Sequence, residues 1–374
     1  MPRALAHRFR DNVDWVLLFL VSIIALIGVV NSYSTGISIG NAELYLSQIY
    51  FLVFGGCGAF AIAVIDYKHY ERYGYVLYGV GIFLLILVLI VGTEVNGSIR
   101  WVSFGPMFPR FQPSELMKVF LVVGLAKYLH RDPPHTEGRR LGDLLIPVCM
   151  TVVAMYFILK EPDLGTALLC LLVFVSIMML TRLKLSSFLL MLGATPIVSA
   201  VGWIYLLKPY QKQRVISFLN SFVNPEADRL SAGWHAYQST VAVGSGLWTG
   251  KGFLRGTAGP HHFLPEQSTD FPFAIYSEEH GFIGAMLVII LYLILVMWCI
   301  RIGSTARDRF GSVIAIGVGS IFFWQALINL GMVMGIMPVV GVTLPLFSYG
   351  GSSILTCMLG VGLLMSVSIH RYKR

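Results

Sequence analysis

A chain of 374 residues that is 56% hydrophobic and only 12% charged, with a mean hydropathy of +0.75, is not a soluble globular protein. Soluble domains carry about 25% charged residues. The composition is that of an all-α polytopic membrane protein. A net charge of +8 would suit a nucleic-acid partner, but the positions of the basic residues, given below, assign the excess to topology, and no nucleic acid is expected.

A helix needs about 20 apolar residues to cross a bilayer. Taken in chain order, ten segments approach that length: Trp15–Tyr33, Tyr45–Ile65, Tyr75–Val91, Ser114–His130, Leu141–Leu159, Leu164–Thr181, Ser186–Leu207, Phe273–Ile300, Gly311–Met334 and Ser352–Ile369. The fourth and fifth are short or interrupted, which leaves nine as the alternative count. Basic Met1–Arg10 precedes the first run, and no small-residue cleavage site follows it. The first helix is therefore read as retained and not as a signal peptide. Cys57, Cys149, Cys170, Cys299 and Cys357 all fall inside apolar runs without CxxC or metal-ligand spacing. They read as small buried hydrophobes.

Lys and Arg set the orientation. With the N-terminus inside, seventeen of the 27 basic residues fall on the cytoplasmic side and nine outside, six of those in one long loop where the rule has little force. Lys118 falls within a span. Ten spans place both termini in the cytoplasm of a multi-pass inner-membrane protein. The fold expected is about ten transmembrane helices in a single domain, 1–374, with one long extracytoplasmic loop, 208–273, between helices 7 and 8.

That loop has internal pattern. Tyr210–Asn220 reads as a short amphipathic helix lying in the interface. Gly233–Gly246 is half apolar and suits a segment dipping into the membrane under protein cover. Glycines 244, 246, 250, 252, 256 and 259 follow, leading to Pro265 and Asp270.

Four clusters at the outer edge carry candidate chemistry. Arg100 and Trp101 precede Arg110-Phe-Gln-Pro-Ser-Glu115 and Lys118. Pro113 and Ser114 mark a helix start, with Ser114 as its cap. Glu115 and Lys118 lie three apart on one face, as an internal ion pair or as a substrate-facing one. In Lys160-Glu-Pro-Asp163-Leu-Gly-Thr166, Asp163 is either an N-cap or a substrate contact. Asp270, with Glu266 upstream, either caps the helix that starts at Pro272 or does chemistry. Glu278 and Glu279 lie roughly 12 Å farther along a regular helix, and with His280 read as polar anchors. Last, Gly331–Ser353 keeps its apolarity while proline and glycine break the helix. Irregular backbone at membrane depth must be buried or line a cavity.

Together these segments resemble the SEDS family (shape, elongation, division and sporulation), nearer its RodA-like branch than its FtsW-like relatives. The matching runs are Arg110–Glu115, Pro162–Thr166, Gly250–Gly252, Phe263–Glu266, Thr269–Phe271, Glu278-Glu279, Gly331–Val333, Pro338–Gly341 and Leu344–Ser352, in the family's order. The resemblance implies a peptidoglycan glycosyltransferase that polymerises lipid II outside the cytoplasmic membrane, for cell elongation, with a class B penicillin-binding protein as its transpeptidase partner. It implies that Asp270 is the essential carboxylate, that Glu115 and Lys118 are an important pair, and that Asp163 is a sensitive position. The chain departs at Gln267, Ser268 and Pro272, where relatives often carry a basic or small residue, His and Ile.

The implied reaction is attack of an acceptor 4-hydroxyl on the donor anomeric carbon, with inversion and loss of undecaprenyl pyrophosphate. Asp270 is the base expected. An Asp titrates near 3.9 in water, and desolvation at the membrane edge would raise it toward a better proton acceptor. Lys118 and Arg214, with Arg100 behind them, are expected to hold the pyrophosphate, and Mg or Mn could share that task. The rival reading is a lipid II flippase or other transporter, which many spans and broken helices also suit. Against it, the charges cluster at the rim, with no acidic relay across the bundle and no visible repeat. A scaffold that only recruits a synthase would not require Asp270.

Overall fold

The computed structural model describes residues 12–95, 98–103, 110–131, 141–180, 184, 186, 189, 193, 202–223, 233–259, 264 and 266–371. Its helices are α1 (Trp15–Ser38), α2 (Leu44–Val64), α3 (Tyr67–Val91), α4 (Pro113–Arg131), α5 (Leu145–Lys160), α6 (Leu164–Leu180), α7 (Pro209–Val223), α8 (Trp234–Ser245), α9 (Pro272–Ser304), α10 (Arg309–Val333) and α11 (Gly351–His370). Seven helical stretches among the described residues are long and apolar enough to cross a membrane: α1, α2, α3, Gly142–Lys160, α9, α10 and α11. The protein is a helical, multi-pass membrane protein. Of the predicted segment Ser186–Leu207, only 186, 189, 193 and 202–207 are among the described residues, with Gly202–Leu206 forming a short π-helical turn.

Burial sorts the helices into centre and periphery. The apolar windows of α10 and α11 are 78% and 83% buried, while those of α2 and α3 are only 22% buried. Between them sits α4, where Leu121, Val122, Leu125, Ala126 and Leu129 are all closed off. It packs on α3 and α10, and α11 packs along α2. Phe54, Phe83 and Ile90 are 70%, 61% and 76% exposed on the peripheral helices. Such a surface would aggregate in water but is the natural boundary against lipid chains.

Several elements differ from the sequence reading. α3 begins eight residues before the expected Tyr75, because Asp66 accepts from the Lys68 amide and caps a polar first turn that hydropathy does not register. A two-stranded antiparallel hairpin, β1 (Thr93–Val95) and β2 (Ser98–Trp101), follows α3. Two strands that short carry no periodic signal. The expected amphipathic helix is α7, and the half-apolar stretch after it is α8.

α9 is broken by Gly281 (φ 66°), and the glycine-rich segment after α8 occupies the break. Phe282 and Ile283 donate to the carbonyls of Leu247 and Trp248, while Lys251 and Gly252 donate to those of Glu278 and Glu279. A Cβ on Gly281 would lie 2.3 Å from the Gly250 nitrogen, so only glycine fits there. The interrupted ladder is thus satisfied by protein, as backbone at membrane depth requires.

Candidate functional site

Asp270 lies in the turn that enters α9. The amides of Thr269, Asp270 and Phe271 all donate to the Glu266 carbonyl, and Tyr349 donates to that of Ser268. Asn329 of α10, fully buried, gives its Nδ2 to both the Asp270 carbonyl (2.9 Å) and the Val342 carbonyl (2.7 Å). Asn31 of α1 donates to the Pro272 carbonyl at 3.0 Å. The turn is therefore held from two helices, α1 and α10, and from the segment before α11. Pro272 takes the first helical position and no side chain caps α9, so neither Thr269 nor Asp270 is spent on capping. Burial raises the Asp270 carboxyl to about 6. Glu266 adds to the rise, while Arg214, a Thr269 hydrogen bond and Arg100 oppose it.

Arg214 comes from α7, whose polar face meets the broken segment before α11. Its Nη1 donates to the Val339 carbonyl at 3.2 Å. Gly341 (φ 73°) closes the neighbourhood. A Cβ built there would lie 3.4 Å from Asp270 Oδ2 and 3.9 Å from Arg214 Nη1. Carboxylate and guanidinium thus flank one small gap without forming an ion pair. Beside it opens a pocket lined by Arg100, Pro162, Leu164, Tyr210, Gln211, Arg214, Val215 and Pro338 to Val340. Arg100 Nη2 (2.8 Å) and the Tyr210 hydroxyl (3.0 Å) both donate to the Pro162 carbonyl, which ties β2 and α7 to the α5–α6 turn. Two guanidinium groups thus line one pocket, the side chains best suited to hydrogen-bond a multiply charged anion.

Asp163 does two jobs. Its Oδ1 accepts from the Thr166 amide at 3.1 Å, the N-cap bond expected of it. Its Oδ2 also accepts from Gln112 Nε2 (2.8 Å) and Ser114 Oγ (3.2 Å), which pins α4 to α6. Ser114 consequently does not cap α4, contrary to the sequence reading; Pro113 opens that helix, and the Ser114 hydroxyl is engaged across the bundle instead. One turn on, Lys118 Nζ meets Glu115 Oε2 at 2.9 Å, with the lysine 1% exposed. The pair is enclosed next to Asp163 and does not line the pocket, where Arg100 and Arg214 do.

Glu161 was not singled out by the sequence. It is 0% exposed, and neither carboxyl oxygen has a hydrogen-bond partner. Burial raises its carboxyl to about 9; Asp163 adds to the rise and Arg100 opposes it. Asn329 was missed as well, although a lone amide inside an apolar span was its visible signal. Glu278 and Glu279 are anchors, as expected. Glu278 accepts from Lys251 Nζ, the Thr257 amide and hydroxyl and the Ala258 amide, and Glu279 accepts from the Leu254 amide and the Ser34 hydroxyl. His280 stacks on Tyr276.

Among the described residues no three His, Cys, Asp or Glu side chains come together as a metal site. Near the pocket Asp163 is already committed to three donors and Glu161 is sealed, while Asp270 and the Glu266 that acts on it lie outside its lining. Such a pair does not hold a divalent cation unaided.

Residues 12–373 match the model of the FtsW/RodA/SpoVE family, described as cell cycle protein. The chain is 37% identical over 361 residues to the peptidoglycan glycosyltransferase MrdB of Escherichia coli (strain K12), across 95% of this chain and 93% of that protein. A solved structure described as "Structural coordination of polymerization and crosslinking by a peptidoglycan synthase complex" superposes with a TM-score of 0.81 at 32% identity, over 97% of this chain and 99% of the other. The rod shape determining protein RodA of Thermus thermophilus gives a TM-score of 0.70 at 29% identity, over 97% and 98%.

Proposed function

Because this chain belongs to the FtsW/RodA/SpoVE family, we propose that it is a peptidoglycan glycosyltransferase that polymerises lipid II on the outer face of the cytoplasmic membrane. The observation that supports this reading best is the carboxyl of Asp270, raised to about 6, set across one gap from Arg214 and beside a pocket with two arginines.

An inverting displacement needs a base on the acceptor hydroxyl and positive charge on the departing diphosphate. Asp270 is the base. With its carboxyl near 6 it is mostly ionised at neutral pH, yet takes a proton more readily than an ordinary aspartate. The acceptor 4-hydroxyl approaches the gap at Gly341, gives its proton to Oδ2 and bonds to the donor anomeric carbon, while the bond from that carbon to the diphosphate oxygen breaks on the opposite face. Undecaprenyl pyrophosphate leaves with both electrons of that bond, held by Arg214 and Arg100. Asp163 ties α4 to the α5–α6 turn, and so steadies the Pro162 carbonyl on which Arg100 is held, while the Glu115–Lys118 pair stays within α4. A Mg or Mn ion would supply further positive charge for the departing diphosphate.

The biological role proposed is cell elongation and rod shape, with a class B penicillin-binding protein supplying the crosslinks. The test uses purified chain with labelled lipid II, with and without such a partner, and compares it with Asp270→Asn. Glycan chains that disappear with the substitution support the reading. Movement of lipid II across the bilayer without polymer, or polymer made at full rate by Asp270→Asn, overturns it.

A further inference from the structure

The α5–α6 turn holds a carboxyl that the reaction above does not use. Glu161 is completely buried, with no donor on either oxygen. Its neighbour Arg100 does not pair with it; the guanidinium gives Nη2 to the Pro162 carbonyl, and its Nε is buried without a partner. Asp163, two residues on, already draws three donors onto its oxygens. Burying a second, unpaired carboxylate next to it would cost several kcal/mol in desolvation and repulsion. A protonated carboxyl in the same place costs far less.

We infer that Glu161 is a positioning residue that works in its acid form, so that Arg100 keeps its full positive charge for the diphosphate of the substrate. This rests on the reading of the pocket as the diphosphate site. An ionised Glu161 would neutralise Arg100 and lower the pocket from two positive charges to about one. The charged and titratable groups around Glu161 are Lys160 and Asp163 on its own turn, Arg100 on β2, Tyr210 and Arg214 on α7, and Glu115 with Lys118 on α4 behind Asp163. Of these, Asp163 and Arg100 act on it directly. The acid form thus sets an upper pH limit on anion binding.

The experiment measures binding of inorganic pyrophosphate to the detergent-solubilised full chain by calorimetry across pH, alongside lipid II turnover. For the unaltered chain, affinity should fall about tenfold from about pH 8 to about pH 10 as Glu161 ionises beside Arg100. Glu161→Gln keeps the shape and neutrality of the acid. It should retain turnover and pyrophosphate affinity within about twofold near pH 7.5 and lose the alkaline fall. Tyr210→Phe should keep that fall, which excludes the phenol as its source. Arg100→Gln should bind pyrophosphate more weakly at neutral pH and move the alkaline fall to higher pH, since Arg100 opposes the rise of the Glu161 carboxyl, a result that stands even should the Glu161 variant not fold. The inference is overturned by an alkaline fall that persists in Glu161→Gln, by a loss of more than about tenfold in its turnover at neutral pH, or by absence of pyrophosphate binding to the unaltered chain. Pyrophosphate binding does not need the base. An active Asp270→Asn would sink the proposed reaction while leaving this pH dependence intact, so the two failures are distinguishable.

Discussion

Substituting Gly341 by alanine tests whether the gap between Asp270 and Arg214 is where the acceptor hydroxyl enters. Two effects of the change are separable. Gly341 has φ 73°, so any Cβ there pays the left-handed backbone penalty of about 1–2 kcal/mol. The methyl would also stand 3.4 Å from Asp270 Oδ2 and 3.9 Å from Arg214 Nη1, which is ordinary contact distance and forces no collapse. A hydroxyl must reach about 2.6–3.2 Å from the base to lose its proton, and the methyl fills that approach. Gly40 supplies the matched control: its φ is also 73°, and a Cβ there meets nothing within 4 Å. Gly40→Ala should therefore lower the thermal midpoint of the solubilised protein by about as much as Gly341→Ala, yet keep its rate of lipid II polymerisation. Gly341→Ala should lose about 10²-fold in kcat, the usual penalty for ångström-scale misplacement of reacting groups. Equal rates per folded molecule for the two variants would refute the placement of the acceptor.

Asp270→Asn should lower polymerisation by about 10²–10⁴-fold with the chain still folded, read from glycan product on gels. The acid limb of kcat/KM should report a group near 6, since protonating Asp270 removes the base. Glu266→Gln should move that limb to lower pH, because Glu266 raises the Asp270 carboxyl; a limb that stays put or moves up contradicts the assignment. Asn329→Ala should orphan the Asp270 and Val342 carbonyls at about 1–3 kcal/mol each, lowering both thermal midpoint and kcat. Glu278→Ala, which removes the acceptor for Lys251, Thr257 and Ala258, should speed proteolytic nicking at 251–258; unchanged nicking would show that the segment is held by other contacts.

Hydropathy alone determined that this protein lives in a bilayer, because a chain with so few charges and so many long apolar runs has no stable arrangement in water. Local chemistry marked the rim residues as well: Asp163 before an apolar run, Pro272 after Asp270, and proline and glycine in the segment before α11. Whether each such group caps a helix or faces a substrate was not decided there, since both roles use the same residue at the same place in the chain. Only the packed bundle shows the geometry: it leaves Asp270 free of any capping bond, near Arg214 from a helix more than fifty residues away, and encloses Lys118 on Glu115. The state of Glu161 is likewise a product of tertiary structure. An acid after a lysine reads as solvated until the hairpin, α7 and α6 close around it, and water then no longer stabilises its charge.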